Sequence, residues 1–294
     1  MIVKKLRWGS VFVYFFIALF ALICVAPMVL AIMVSVSDET SIIRQGYSFF
    51  PEKFSLRAYR LIFSSGSQVL RSYGVSLGAT AAGTTLAVLI TCFAGYSLST
   101  GKNKYMNAFG LFFFITMVFN AGIVPWYLIS TRLGLRNNFW SLVIPSLLFN
   151  PFNMFLTRNF MQGIPESLRE SAVMDGANDV RIAVKIYMPL CVPIIATIAL
   201  FYGLAYWNDY WNAIMLIEDK NLYPLQYMLL RLKSQIQMLR DLQNIMGNAA
   251  ASQTPPSESV KMATALVTIG PIVLLYPYLQ KYFVSGLTIG SVKG

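Results

Sequence analysis

Runs of about 20 apolar residues recur along this chain of 294 residues, and they limit its fold more than any other feature. A helix of that length crosses roughly 30 Å of hydrocarbon. The expected fold is all-α and polytopic, with six transmembrane helices. A composition that is 56% apolar and only 12% charged agrees with this. The formal charge of +11 fits bases flanking membrane spans better than a nucleic-acid partner. Histidine is absent, which removes the usual proton shuttle and the commonest metal ligand, so no metal site is expected. Cys24, Cys92 and Cys191 lie in or beside apolar runs without paired spacing, and are read as reduced packing residues.

The runs place spans at about 9–36, 69–98, 105–127, 139–160, 190–217 and 260–283. Lys4, Lys5 and Arg7 precede the first, which is longer than a signal-peptide core and lacks a small-residue cleavage site, so it reads as a retained helix. An outer loop follows, with turn signals at Gly46 and Pro51 and an amphipathic stretch at 56–63. The second span is rich in small residues from Gly74 to Thr84, which suits close helix packing. The third is interrupted near its outer end by Asn120, Gly122 and Pro125. The fourth contains Pro145 and Asn150-Pro151-Phe152-Asn153. Proline at membrane depth frees backbone carbonyls that need a neighbour, so this helix is expected to line a pathway. Residues 218–260 read as an outer loop with an amphipathic helix at 225–245. Six spans put both termini on one side. Lys and Arg number 11 on the proposed inside and 12 outside, but long loops weigh less and the first-helix cluster weighs most. The termini are therefore expected in the cytoplasm.

Residues 164–189 break the apolar pattern with four acids (Glu166, Glu170, Asp175, Asp179) and three bases (Arg169, Arg181, Lys185). Such charge does not enter hydrocarbon. Pro165 suits a helix start and Glu166 favours its positive end. Gly176 supplies a turn, and a second helix over about 178–187 is expected to stop before Pro189. The result is a cytoplasmic helix-turn-helix, too short for its own core and in need of a partner surface.

At this point the sequence resembles a known family. Glu170-Ser171-Ala172, then Gly176, then Ile186-Tyr187-Met188-Pro189 keep every spacing of the EAA loop of bacterial ABC importer permeases, differing at Ser171 and Met188. The flanks around Ile164 and Asp175 and the tail from Gly286 to Gly294 are similar to the maltose-type, carbohydrate branch. The resemblance implies that the loop docks on an ATPase dimer, through Leu168, Ala172, Val173 and Met174 about a turn shaped by Glu170 and Gly176, with Ser171, Asp175, Ile186 and Pro189 also among the coupling residues. It implies that Gly290, Ser291, Val292, Lys293 and Gly294 reach the ATPase as well. Its further implications are a second, paralogous permease, an extracellular or periplasmic solute-binding protein, and a place in the bacterial cytoplasmic membrane. No G-x-x-x-x-G-K-[ST] occurs, so ATP and Mg belong to the partner ATPase and this chain is expected to bind no cofactor and catalyse nothing itself.

For substrate, the segment 202–212 offers three like pairs at i and i+4: Tyr206 with Tyr210, Trp207 with Trp211, and Asn208 with Asn212. Aromatic faces suit a sugar ring and amides suit its hydroxyls; an interfacial aromatic belt is the competing reading. Asn120, Asn150 and Asn153 are further pathway candidates, or turn-formers at the breaks. Asn221 to Gln226 with Arg231 resemble permeases for oligosaccharides released from complex polysaccharides. An ion-coupled carrier would want ionisable residues at membrane depth and internal repeats, and only Asp209 approaches this. A membrane enzyme would want carboxylates or histidines grouped at one face. An ABC permease for a non-sugar solute is the remaining alternative.

Overall fold

The computed structural model describes residues 8–64, 66–100, 105–145, 147–246 and 258–289; the tail expectation at Gly290–Gly294 lies outside them. Among the described residues the chain is helical, with one isolated β-bridge, Ser37 to Phe54. It forms two compact units, Met1–Val69 with Leu229–Gly270 and Leu70–Met228 with Pro271–Gly294.

In the first unit, α1 (Trp8–Ser35) exposes Phe12, Phe15, Phe16 and Phe20, an apolar surface suited to lipid. Two short helices follow, α2 (Glu39–Gln45) and α3 (Arg57–Ser64), the second on the stretch predicted to be amphipathic. α4 (Gly66–Ser99) begins at the end of this unit and runs through the second. Among the described residues, α1 and α4 are the two helices long and apolar enough to cross a membrane unaided.

The third run divides into α5 (Met106–Val118) and α6 (Ile123–Arg132), bent by 114°. Gly122 takes φ +86 and its N–H donates to Asn120 Oδ1 at 2.8 Å, so Asn120 forms the turn. The fourth run is not the continuous helix 139–160. It opens as a 3-10 turn over Phe139–Leu142 and becomes helical only in α7 (Pro151–Met161). Pro151 sits where a missing N–H costs nothing, and Asn150 Oδ1 accepts from Phe152 N and Asn153 N at 2.9 and 3.3 Å. The charged insert follows as α8 (Glu166–Met174), α9 (Asp179–Ile182), a π turn over Ala183–Tyr187, and α10 (Met188–Leu190).

The fifth run is also broken. α11 (Val192–Trp207) ends with Asn208 as its cap, and Asp209 Oδ1 accepts from Trp211 N and Asn212 N to open α12 (Trp211–Leu216). The three i, i+4 pairs therefore straddle a break and do not share one helix face. α13 (Leu225–Met246) lies where the amphipathic outer helix was expected, and α14 (Glu258–Ile289) completes the order.

A carboxylate buried in the first unit organises the start of α14. Glu39, 4% exposed, accepts from Glu258 N at 3.0 Å, Ser259 N at 3.1 Å and Ser259 Oγ at 2.9 Å. Negative charge against the orphan N–H groups of a helix start is doubly favoured. Glu258 in turn accepts from Lys261, Tyr47 and Arg240 at 2.7, 2.7 and 3.2 Å. Burial raises the Glu258 carboxyl, but the hydrogen bonds of Lys261 and Tyr47 and the nearby cations outweigh it, holding it below its usual value. A lowered carboxyl pKa stabilises the fold at neutral pH, and that contribution is lost as pH falls below the ordinary value of about 4.3. Glu39→Gln turns an NH2 group toward donors already in place. It should cost about 1–2 kcal/mol, read as a lower melting temperature of the purified protein; an unchanged melting temperature would show that Glu39 does not hold α14.

Candidate functional site

Two features of the second unit bear on function: the α8–α10 hairpin and a cleft beside α7. Gly176, φ +78, makes the hairpin's turn, in a backbone region that residues with a Cβ rarely adopt. Open space surrounds it, so the demand for glycine is conformational and not steric. The inner face of the hairpin is already satisfied. Ala172, Ile182, Ala183 and Tyr187 join Ala87, Cys92 and Tyr96 of α4, Met161 of α7 and Ile194 of α11 in one buried cluster. Ala172 is thus unavailable to a partner, which corrects its expected place in a docking contact. The exposed apolar residues are Leu168, Val173 and, at 87% exposure, Met174 beside the turn. Val180, also exposed, joins them and was not singled out from the sequence. Glu170, Ser171 and Asp175 face solvent, and Ile186 is half-buried.

Sequence reasoning also missed Arg169, which reads as one more charge on a solvated face. It is 6% exposed and its Nη2 donates to Asp179 Oδ1 at 2.9 Å, clamping α8 to α9. The Tyr96 hydroxyl donates to the same oxygen at 3.2 Å, tying the clamp to α4. The Tyr96 hydroxyl, ahead of Asp179, raises the guanidinium pKa against the opposing effect of burial.

The expected helix stop at Pro189 does not occur. The chain passes through Pro189 in α10 and turns at Cys191, with an 88° bend before α11. A proline inside an α-helix clashes with the carbonyl four residues earlier. Here the preceding turn is widened to a π turn, with Met188 N donating to Ala183 O, and the proline is accommodated.

Asn150 and Asn153 meet in a cleft of about 250 Å³, with Leu147, Phe152, Phe201, Tyr202 and Ala205. The Tyr202 hydroxyl accepts from Asn150 N at 3.0 Å and pairs with Thr91 Oγ1 at 2.8 Å, so the wall is fixed from three elements. Amides and aromatic rings around one cleft can hydrogen-bond hydroxyls and cover the apolar face of a ring. Phe152, Phe201 and Tyr202 could have been found in the sequence only by knowing where the helices break.

The other pathway candidates lie elsewhere. Tyr206 is buried against Gly83 and donates to Val143 O at 2.8 Å. Trp207 is buried with its ring 6.3 Å from that of Tyr73. Asn212, 2% exposed, donates to Pro145 O at 3.2 Å. Asn208 is exposed and accepts from Gln226 at 3.1 Å, while Tyr210 and Trp211 are exposed.

Comparison with known proteins agrees with this architecture. Residues 104–289 match the family described as the binding-protein-dependent transport system inner membrane component. The polygalacturonan/rhamnogalacturonan transport system permease protein YtcP of Bacillus subtilis is 37% identical, the match covering 99% of this chain and 100% of that protein. Protein LplC of the same organism is 36% identical over 92% of this chain and 90% of its own length. The crystal structure of a bacterial ABC transporter involved in the import of the acidic polysaccharide alginate contains a chain that superposes with a TM-score of 0.79. That chain is 30% identical, and the match covers 96% of this chain and 99% of that one. With a family match over more than half its residues and such identity along its whole length, this chain belongs to the binding-protein-dependent inner membrane components, the permease subunits of ABC transport systems.

Proposed function

We propose that the chain is one of two permease subunits of an oligosaccharide importer, lying in the bacterial cytoplasmic membrane with both termini inside. The α8–α10 hairpin docks on a separate ATPase dimer that holds ATP and Mg, and a solute-binding protein delivers substrate from outside. The observation that carries the reading is the hairpin's division of its apolar residues: one set is buried in this chain's own core, while Met174 stands 87% exposed at the tip. An apolar tip on a braced support is suited to a pocket on a partner. The tail residues Gly290–Gly294 are assigned to the same partner. The sugar class is supported by the transport of polygalacturonan/rhamnogalacturonan named for one relative and of alginate named for the solved transporter.

A photo-crosslinker at position 174 of the assembled transporter should capture the ATPase, and one at Met238, on the exposed face of α13, should not. Met174→Asp should reduce uptake at least tenfold. Capture from both positions, or full uptake by the variant, would reject the docking role.

The cleft at Asn150 and Asn153 is assigned to the sugar. Asn153→Leu keeps the branched shape and removes the amide, and should raise the half-saturating concentration for uptake about tenfold, the loss of one or two hydrogen bonds. ATP hydrolysis stimulated by the binding protein should persist. An unchanged half-saturating concentration would place the sugar contacts on the second permease.

A further inference from the structure

A second cleft, of about 760 Å³, lies in the first unit and is lined by Val36, Phe54, Ser55, Leu56, Arg57 and Arg60. Its frame is held by backbone. Ser55 N donates to Val36 O at 2.8 Å and Asp38 N to Lys53 O at 3.0 Å, on either side of the Ser37–Phe54 bridge. α3 is seated by Ala58 and Ile62, each 1% exposed, and by the Tyr59 hydroxyl paired with Ser35 Oγ at 2.9 Å. With that face turned inward, Arg57 and Arg60 stand three residues apart on the opposite side, both exposed. Phe54, 76% exposed, and Leu56 lie with them in the cleft wall.

The combination selects a ligand chemistry. Planar guanidinium groups favour carboxylates through paired, charge-assisted hydrogen bonds. An exposed ring favours a flat apolar partner, such as the C–H face of a pyranose. A neutral sugar would draw nothing from the two charges, and a small inorganic anion would leave Phe54 in water. A sugar ring bearing its own carboxylate answers both.

We infer that this cleft is a binding site for uronate residues of acidic oligosaccharides, read by Arg57 and Arg60 with Phe54 beneath the ring. The inference rests on the proposed function for its orientation, with residues 37–64 outside the cell. It goes beyond it in giving this subunit a site that distinguishes charged from neutral sugars.

The test uses the assembled transporter in phosphatidylcholine nanodiscs, without solute-binding protein, and titrates trigalacturonate and its fully methyl-esterified form. The wild type should bind the acid at least tenfold more tightly than the ester, with affinity falling as salt rises. Arg57→Gln with Arg60→Gln should weaken the acid about tenfold and bring it level with the ester. Phe54→Ala should weaken both forms alike. All three side chains are exposed, so an unchanged melting temperature certifies the fold. Equal binding of acid and ester by the wild type, or unchanged acid affinity in the arginine variant, overturns the site. A repeat in discs containing phosphatidylglycerol separates a sugar carboxylate from a lipid phosphate: acid binding that vanishes there assigns the guanidinium pair to lipid and also overturns it. Uptake by the wild type is scored separately. Intact binding without uptake counts against the transport reading alone, and uptake without binding counts against this cleft alone.

Discussion

Gly83→Ala should lower the stability of the protein by about 3 kcal/mol or more. Helix propensity alone predicts the opposite sign, since alanine is favoured over glycine in a helix interior by roughly 0.5–1 kcal/mol. The difference is Tyr206. A Cβ at position 83 would lie 2.3 Å from its ring, closer than carbon atoms approach. The ring cannot yield at small cost, because Tyr206 is 4% exposed and its hydroxyl is committed to Val143 O at 2.8 Å. Moving it breaks a buried hydrogen bond and the packing between α4 and α11 together. Thermal unfolding in detergent reads the effect, and Tyr206→Leu in the same background should recover part of the loss, since the two sites share one space. A melting temperature that rose in the single variant would show that the ring moves freely. The same contact makes Tyr206 part of the packing between α4 and α11.

The second expectation concerns the unequal halves of an ion pair. Arg169 is buried, its side chain 7% exposed, whereas that of Asp179 is 69% exposed. Asp179→Asn leaves the buried guanidinium without its counter-charge, and its Nε and Nη1 already lack partners among the described residues. Arg169→Met removes the buried charge and leaves a carboxylate that water can solvate. The asparagine variant should therefore be the less stable, by about 1–2 kcal/mol once exposure of the pair is allowed for. Both should loosen the hairpin, so uptake falls in both while only the asparagine variant loses much melting temperature. The reverse order of stabilities would mean that Arg169 contributes through packing and not through charge.

What could be foreseen from the residues follows a physical line. The uninterrupted apolar runs of α1 and α4 are local signals of length and composition, and so is the glycine at the hairpin turn. The breaks at Asn120–Gly122 and Asn150–Pro151 were visible as breaks. How much helix survives on each side was not, because it depends on whether a side chain such as Asp209 caps the next segment. That cap is why the pairing of Tyr206 with Tyr210, Trp207 with Trp211 and Asn208 with Asn212 failed. Glu39 lies 219 residues from Glu258, so no spacing rule connects them. Arg169 escaped for a similar reason: a charged residue is presumed to face water unless something in the fold receives it, and here Asp179 does, itself held by the Tyr96 hydroxyl of α4. Of the cleft, the two asparagines were legible by type and the aromatic walls were not.

The π turn at Ala183–Tyr187 holds one residue more per loop of backbone than the α-helix around it. It is a stored register step, placed between the braced hairpin and the 88° corner at Cys191. Tightening that loop to α geometry would swivel the corner by about 100° relative to the hairpin, the angle of one residue. On the docking proposed above, a push delivered at Met174 would emerge as rotation of α11, turning Phe201 and Tyr202 in the wall of the α7 cleft without stretching any helix. The proline that forces the wide turn would thus act as the chain's gearbox.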